Sequence, residues 1–164
     1  MEEQLLKIFE GNSELFITTS LTGEVDERGK TVGQTITVHE PVTLKIWKDH
    51  LDGTKRIGIK PEKENKCRWG CIDVDPHNYK NYNQKKIVDI IKEFNLPLIP
   101  TRSKSGGLHL FLFLNDWYPV KDILKKLHQW NNDFFQAQEI FPMNKCLNMP
   151  YFNMNATTEF AYTD

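Results

Sequence analysis

The stretch that most constrains what this chain can fold into is Arg68-Trp69-Gly70-Cys71-Ile72-Asp73-Val74-Asp75. It reads as a short buried strand that carries two carboxylates. Side chains alternate on a strand, so Ile72 and Val74 point toward a core while Cys71, Asp73 and Asp75 share the opposite face. Like charges two residues apart repel each other and aspartate is disfavoured in strands, so something must compensate. A divalent cation would do so. The structural alternative is a strand end that runs into an Asx turn at Asp75-Pro76.

Residues 1–66 read as a smaller N-terminal α/β lobe. Leu5 to Phe9 suggest a short helix, Leu15 to Thr19 a strand, and the Gly-punctuated stretch 22–33 a loop or hairpin excursion. Thr35 to Val38 alternate as a strand, Pro41 is placed to open a helix carrying Ile46, Trp47, His50 and Leu51, and Arg56 to Lys60 return as a strand.

From Arg68 onward the order expected is β-α-β-β-α-β. Asn83 caps a helix with Ile87, Ile90, Ile91 and Phe94 on one face, followed by strands over 98–101 and 108–114. Pro119 opens a second helix, and Gln138 to Phe141 form the last strand. This is the split βαβ, ferredoxin-like arrangement, with the first and third strands as central neighbours and the fourth beside the first. Alternation then sets Ile72, Val74, Leu108, Leu110, Leu112 and Ile140 toward the helices. Asp73, Asp75, His109 and Glu139 fall on the other face, expected to be open, together with Phe111 and Phe113.

Three carboxylates are hard ligands suited to two Mg²⁺ or Mn²⁺ ions, the arrangement used for phosphoryl or nucleotidyl transfer. Arg102-Ser103-Lys104-Ser105-Gly106-Gly107 adds cations, hydroxyls and glycines suited to a triphosphate, although it is not a Walker loop because a strand follows the glycines. Net charge is −1, so nucleic-acid binding would rest on local patches such as Lys55, Arg56 and Lys60. At 39% apolar residues the chain can bury a core, and it has no run near the roughly 18 apolar residues of a membrane span. With no signal peptide either, the cytoplasm is the expected location. Cys67, Cys71 and Cys146 are expected to be free thiols.

The pattern resembles the catalytic domain of the archaeo-eukaryotic primase, or primase-polymerase, superfamily of phage and mobile-element type. Its three motifs look like Cys71-Ile72-Asp73-Val74-Asp75, Gly107-Leu108-His109 and Gln138-Glu139-Ile140, and Asn148-Met149-Pro150-Tyr151-Phe152 resembles the segment that follows them. The resemblance implies an α+β fold with an RRM-like catalytic core over 67–164, short of C-terminal accessory parts. It implies metal ligation by Asp73, Asp75 and Glu139, and nucleotide contacts from Arg102, Ser103, Lys104, Ser105, Gly106, Gly107, His109 and Asn148. The implied activity is transfer of nucleotides from NTP or dNTP to a 3′ end paired with a single-stranded DNA template. A helicase or accessory domain is an implied partner, and a bacterial or phage-infected cytoplasm the implied setting. The alternatives are a metal-dependent nuclease and a non-catalytic RNA-binding module that stacks bases on Phe111 and Phe113.

Overall fold

The computed structural model describes residues 1–29 and 31–162; residue 30 of the excursion expected over 22–33 lies outside them. Helix α1 (Glu2–Ile8) precedes strands β1 (Phe16–Val25) and β2 (Thr31–Val38), helix α2 (Leu44–Leu51) and strand β3 (Arg56–Ile59). Then come β4 (Lys66–Val74), α3 (Gln84–Glu93), β5 (Ile99–Arg102), β6 (Leu108–Pro119), α4 (Val120–Trp130), β7 (Glu139–Phe141) and β8 (Leu147–Asn148). The fold is α+β, with two antiparallel sheets ordered β2-β1-β3-β8 and β5-β6-β4-β7. In the second sheet β4 and β6 are central neighbours and β7 flanks β4, the strand order expected from the β-α-β-β-α-β sequence of elements.

Local chemistry sets most element ends. Asn83 accepts the Lys86 N–H and starts α3 as expected. Helix α2 instead begins after Thr43, whose hydroxyl accepts the Ile46 N–H, so Pro41 lies ahead of the helix and does not open it. Strand β6 runs on to Pro119 past a bulge opposite β4. The pairing of β8 with β3 carries no sequence signal, because two residues are too few to show a period.

The β4 sheet is packed on both faces. Ile72, Val74, Leu108, Leu110, Leu112 and Ile140 form one core with Ile87, Val88 and Ile91 of α3 and Leu127 of α4. Trp69, Cys71, Phe111 and Phe141 form a second with Phe9, Trp47, Leu51, Ile57, Ile59, Leu147 and Met149. The face expected to be open is therefore covered, over Trp69, Cys71 and Phe111, by the N-terminal lobe together with Leu147 and Met149. The physical reason is that Trp69, Cys71 and Phe111 continue the acid-bearing side of β4 and β6 as apolar surface, which must be buried at roughly 1.5–3 kcal/mol per large side chain. Phe111 is 1% exposed and Phe113 is half-buried, edge-on to Phe9 at 5.2 Å, so the two rings of the RNA-binding alternative are engaged in the core.

His50 ties the lobe to the chain beyond β8. Its Nδ1 accepts the Ile57 N–H at 3.1 Å, so Nε2–H is left to donate to the Pro150 carbonyl at 2.8 Å. Burial lowers its pKa to about 4, against the pull of that carbonyl and with help from the Arg56 charge. The neutral form is native, so this stability is full above pH 6.5 and is lost as pH falls toward 4, by about 3 kcal/mol. Urea unfolding at pH 7.5 and 4.5 checks this: His50→Gln should show a shallower pH slope than the wild type, and equal slopes would refute it.

Candidate active site

Three strands deliver the acidic face in one row. In the register Asp73 is paired with His109 on β6 and with Glu139 on β7, so these side chains are direct neighbours across the sheet. Asp75 follows the last residue of β4, and its Oδ1 accepts the His77 N–H at 2.9 Å. The Asx turn and the acidic cluster are both realised, because the same residue serves each.

These side chains line a cavity of about 570 Å³ with Ser103, Lys104, Ser105, Lys145, Asn148 and Glu159, and Gly29 of the β1–β2 hairpin reaches it. Burial and then the charges of Glu139 and Asp75 raise the Asp73 carboxyl to about 6, with Lys145 pulling the other way. His109 Nε2 lies 3.5 Å from Asp73 Oδ1. Burial nonetheless holds the imidazole down near 4, so desolvation outweighs that carboxylate and the ring is neutral at pH 7. Lys145 Nζ sits 2.6 Å from Glu139 Oε1. Cys71 beneath the site is a fully buried free thiol whose pKa is raised by that burial.

The turn before His109 is held against the acids by a missing side chain. A Cβ on Gly107 would stand 2.3 Å from the Val74 carbonyl and 2.9 Å from Pro76 Cδ. Gly107 accepts the Ser103 N–H, and the Gly106 N–H goes to the Ser103 carbonyl, so that amide is used inside the turn and not presented to a ligand. Ser103 and Ser105 face the cavity with their hydroxyls 3.4 Å apart. Gly107→Ala should cost about 1–3 kcal/mol through overpacking and push the turn off Asp75. A thermal melt and nucleotide binding measure both effects, and an unchanged melt would mean that the strand end gives way freely.

Three residues expected at the site, Arg102, Gly106 and Gly107, are not among those that line the cavity. The Arg102 guanidinium lies 5.0 Å from the Phe160 ring centre and 4.4 Å from that of Tyr162. Arg56, expected on a template, is buried in an ion pair with Glu159 and stacks on Phe152 at 4.4 Å. Lys55 is exposed, and Lys60 donates to Asn144 Oδ1 at 3.0 Å. Lys145 and Glu159 escaped the sequence reading because neither belongs to a strand pattern, although Lys145 is the nearest cation after Glu139 in the chain.

A family model, the archaeo-eukaryotic primase domain of TOTE conflict systems, matches residues 23–143. The chain belongs to that family. The match holds Asp73, Asp75, His109 and Glu139, while Lys145, Asn148 and Glu159 lie beyond it. No curated protein matches the chain. A primase domain of this kind places the protein in a nucleotidyltransferase family of primase type. Among the described residues no helix is long and apolar enough to cross a membrane.

Such a family implies divalent metal ions, and the donor chemistry here fits them. Three hard carboxylates converge, and burial, then the charges of Glu139 and Asp75, raise the Asp73 carboxyl, which a cation beside it would offset. Among the described residues no three His, Cys, Asp or Glu side chains are already grouped to hold an ion. Asp75 accepts the His77 N–H through Oδ1 and Glu139 pairs with Lys145 through Oε1, so each carboxylate keeps its second oxygen for a cation.

Proposed function

We propose that this domain is a metal-dependent DNA primase-polymerase that adds nucleotides from NTP or dNTP to a 3′ end paired with a single-stranded template. The observation that carries the reading is the row His109, Asp73, Glu139 opening into one cavity with Asp75, Ser103, Lys104 and Ser105. Asp73, Asp75 and Glu139 would hold two Mg²⁺ or Mn²⁺ ions. Bound there, the ions would neutralise the charge that develops on the attacking and leaving oxygens.

The chain's own groups supply the rest. Ser103 and Ser105 offer hydroxyl donors and Lys104 a cation to the triphosphate. His109, neutral at pH 7, offers an N–H donor to a phosphate oxygen without repelling a cation next to Asp73. Asn148, set on β8 beside Gly58, offers an amide at the rim. In this reading residues 1–66 wall the template side of the cleft and 67–164 form the catalytic core, with a helicase or accessory domain as partner. A nuclease would need the same acids, but the hydroxyl and lysine turn suits a triphosphate better than a bare diester.

The test is binding of labelled nucleotide with and without Mn²⁺, followed by primer extension. Metal-dependent binding with extension is the expected result. Cleavage of the template without incorporation would overturn the reading in favour of the nuclease.

A further inference from the structure

Lys145 closes an ion pair on Glu139, a proposed metal ligand, and lines the same cavity as the proposed phosphate-holding residues Ser103, Lys104 and Ser105. Its side chain is 48% exposed, and its ammonium lies 5.9 Å from the Phe141 ring centre. An exposed pair of this kind is worth little in itself, so it can be exchanged for a better one. A divalent cation competes with the ammonium for Glu139, and a triphosphate competes with Glu139 for the ammonium.

We propose that Lys145 is a positioning residue that holds Glu139 until metal binds and is transferred to the phosphates of the incoming nucleotide, so that nucleotide and metal bind cooperatively. This rests on the proposed function. Because coupling between two ligands is reciprocal, nucleotide must raise metal affinity by the same factor by which metal raises nucleotide affinity.

The test is Mn²⁺ binding, followed by electron paramagnetic resonance, to the wild type and Lys145→Met, alone and with a non-hydrolysable nucleotide triphosphate analogue. Lys145→Met should bind Mn²⁺ about tenfold tighter than wild type without the analogue. With the analogue the advantage should vanish, while the analogue itself binds more weakly to the variant in the absence of metal. A lysine acting only as a nearby charge would give the same tightening in both conditions, and unchanged or weaker Mn²⁺ binding by the variant would equally overturn the transfer. Wild-type protein that binds no nucleotide even with Mn²⁺ would instead refute the polymerase reading.

Discussion

Asp73→Asn is expected to abolish nucleotide incorporation and, in metal-free buffer at pH 8, to raise the melting temperature. The side chain sits beside two other acids, Glu139 and Asp75, on a mostly buried face, and its carboxyl is raised to about 6 from 3.8. A raised acid binds its proton more tightly in the fold, so its contribution is favourable at low pH and is lost as pH rises from about 4 through 6. By pH 8 the full penalty applies. Partial exposure and the lost contact with His109 reduce the gain on neutralisation to about 1–2 kcal/mol. The loss of activity should exceed the roughly 10–100-fold typical of an outer partner of a metal ligand, because the group removed would touch the ion. Mn²⁺ at a hundred times its dissociation constant should stabilise the wild type by about 2.7 kcal/mol and the variant far less. Calorimetry with and without Mn²⁺ reads both effects. A variant that loses several kcal/mol without metal would make Asp73 a structural residue.

Trp69→Ala should destabilise the whole chain by about 3–5 kcal/mol and leave a single unfolding transition. Trp69 is fully buried, edge-on to Phe9 at 5.4 Å and to Phe111 at 5.9 Å, so it belongs to the core that both sheets share. A void there removes packing from the N-terminal lobe and from the β4 sheet together. Trp69→Phe should cost much less, since the indole N–H is buried without an acceptor among the described residues and its removal relieves that cost. Denaturation followed by both fluorescence and circular dichroism is the check. Two separated transitions would show that the sheets are stabilised independently.

The β4 sheet was legible because its signals are local and periodic. Ile72 and Val74 alternate with Cys71 and Asp73, Asn83 is a cap by type, and His109 interrupts an apolar run at the position that alternation sets beside Asp73. The covering of the other face was not legible. It depends on Phe9 meeting Trp47 and Trp69 across long sequence separations, and nothing in a strand pattern says whether an apolar residue faces helices or a second sheet. The surroundings of the charges were not legible either. Arg102 and Arg56 looked like phosphate contacts by type, yet both lie against aromatic rings, and Arg56 is paired with Glu159 far along the chain. Sequence gives the sign of a side chain's charge and not what surrounds it.

The pairing of His109, Asp73 and Glu139 across three strands also governs which insertions and deletions the chain can tolerate. Shifting a strand by one residue exchanges its two faces. One residue added between Gly107 and Phe111 would turn His109 toward Ile72 and Val74 and bring Leu108 or Leu110 into the acidic row. Length changes among viable descendants of this sequence should therefore be excluded from 71–75, 107–112 and 139–141. They should collect in the β1–β2 tip and in the exposed stretch near Asn115 and Asp116, beyond the part of β6 that carries the row.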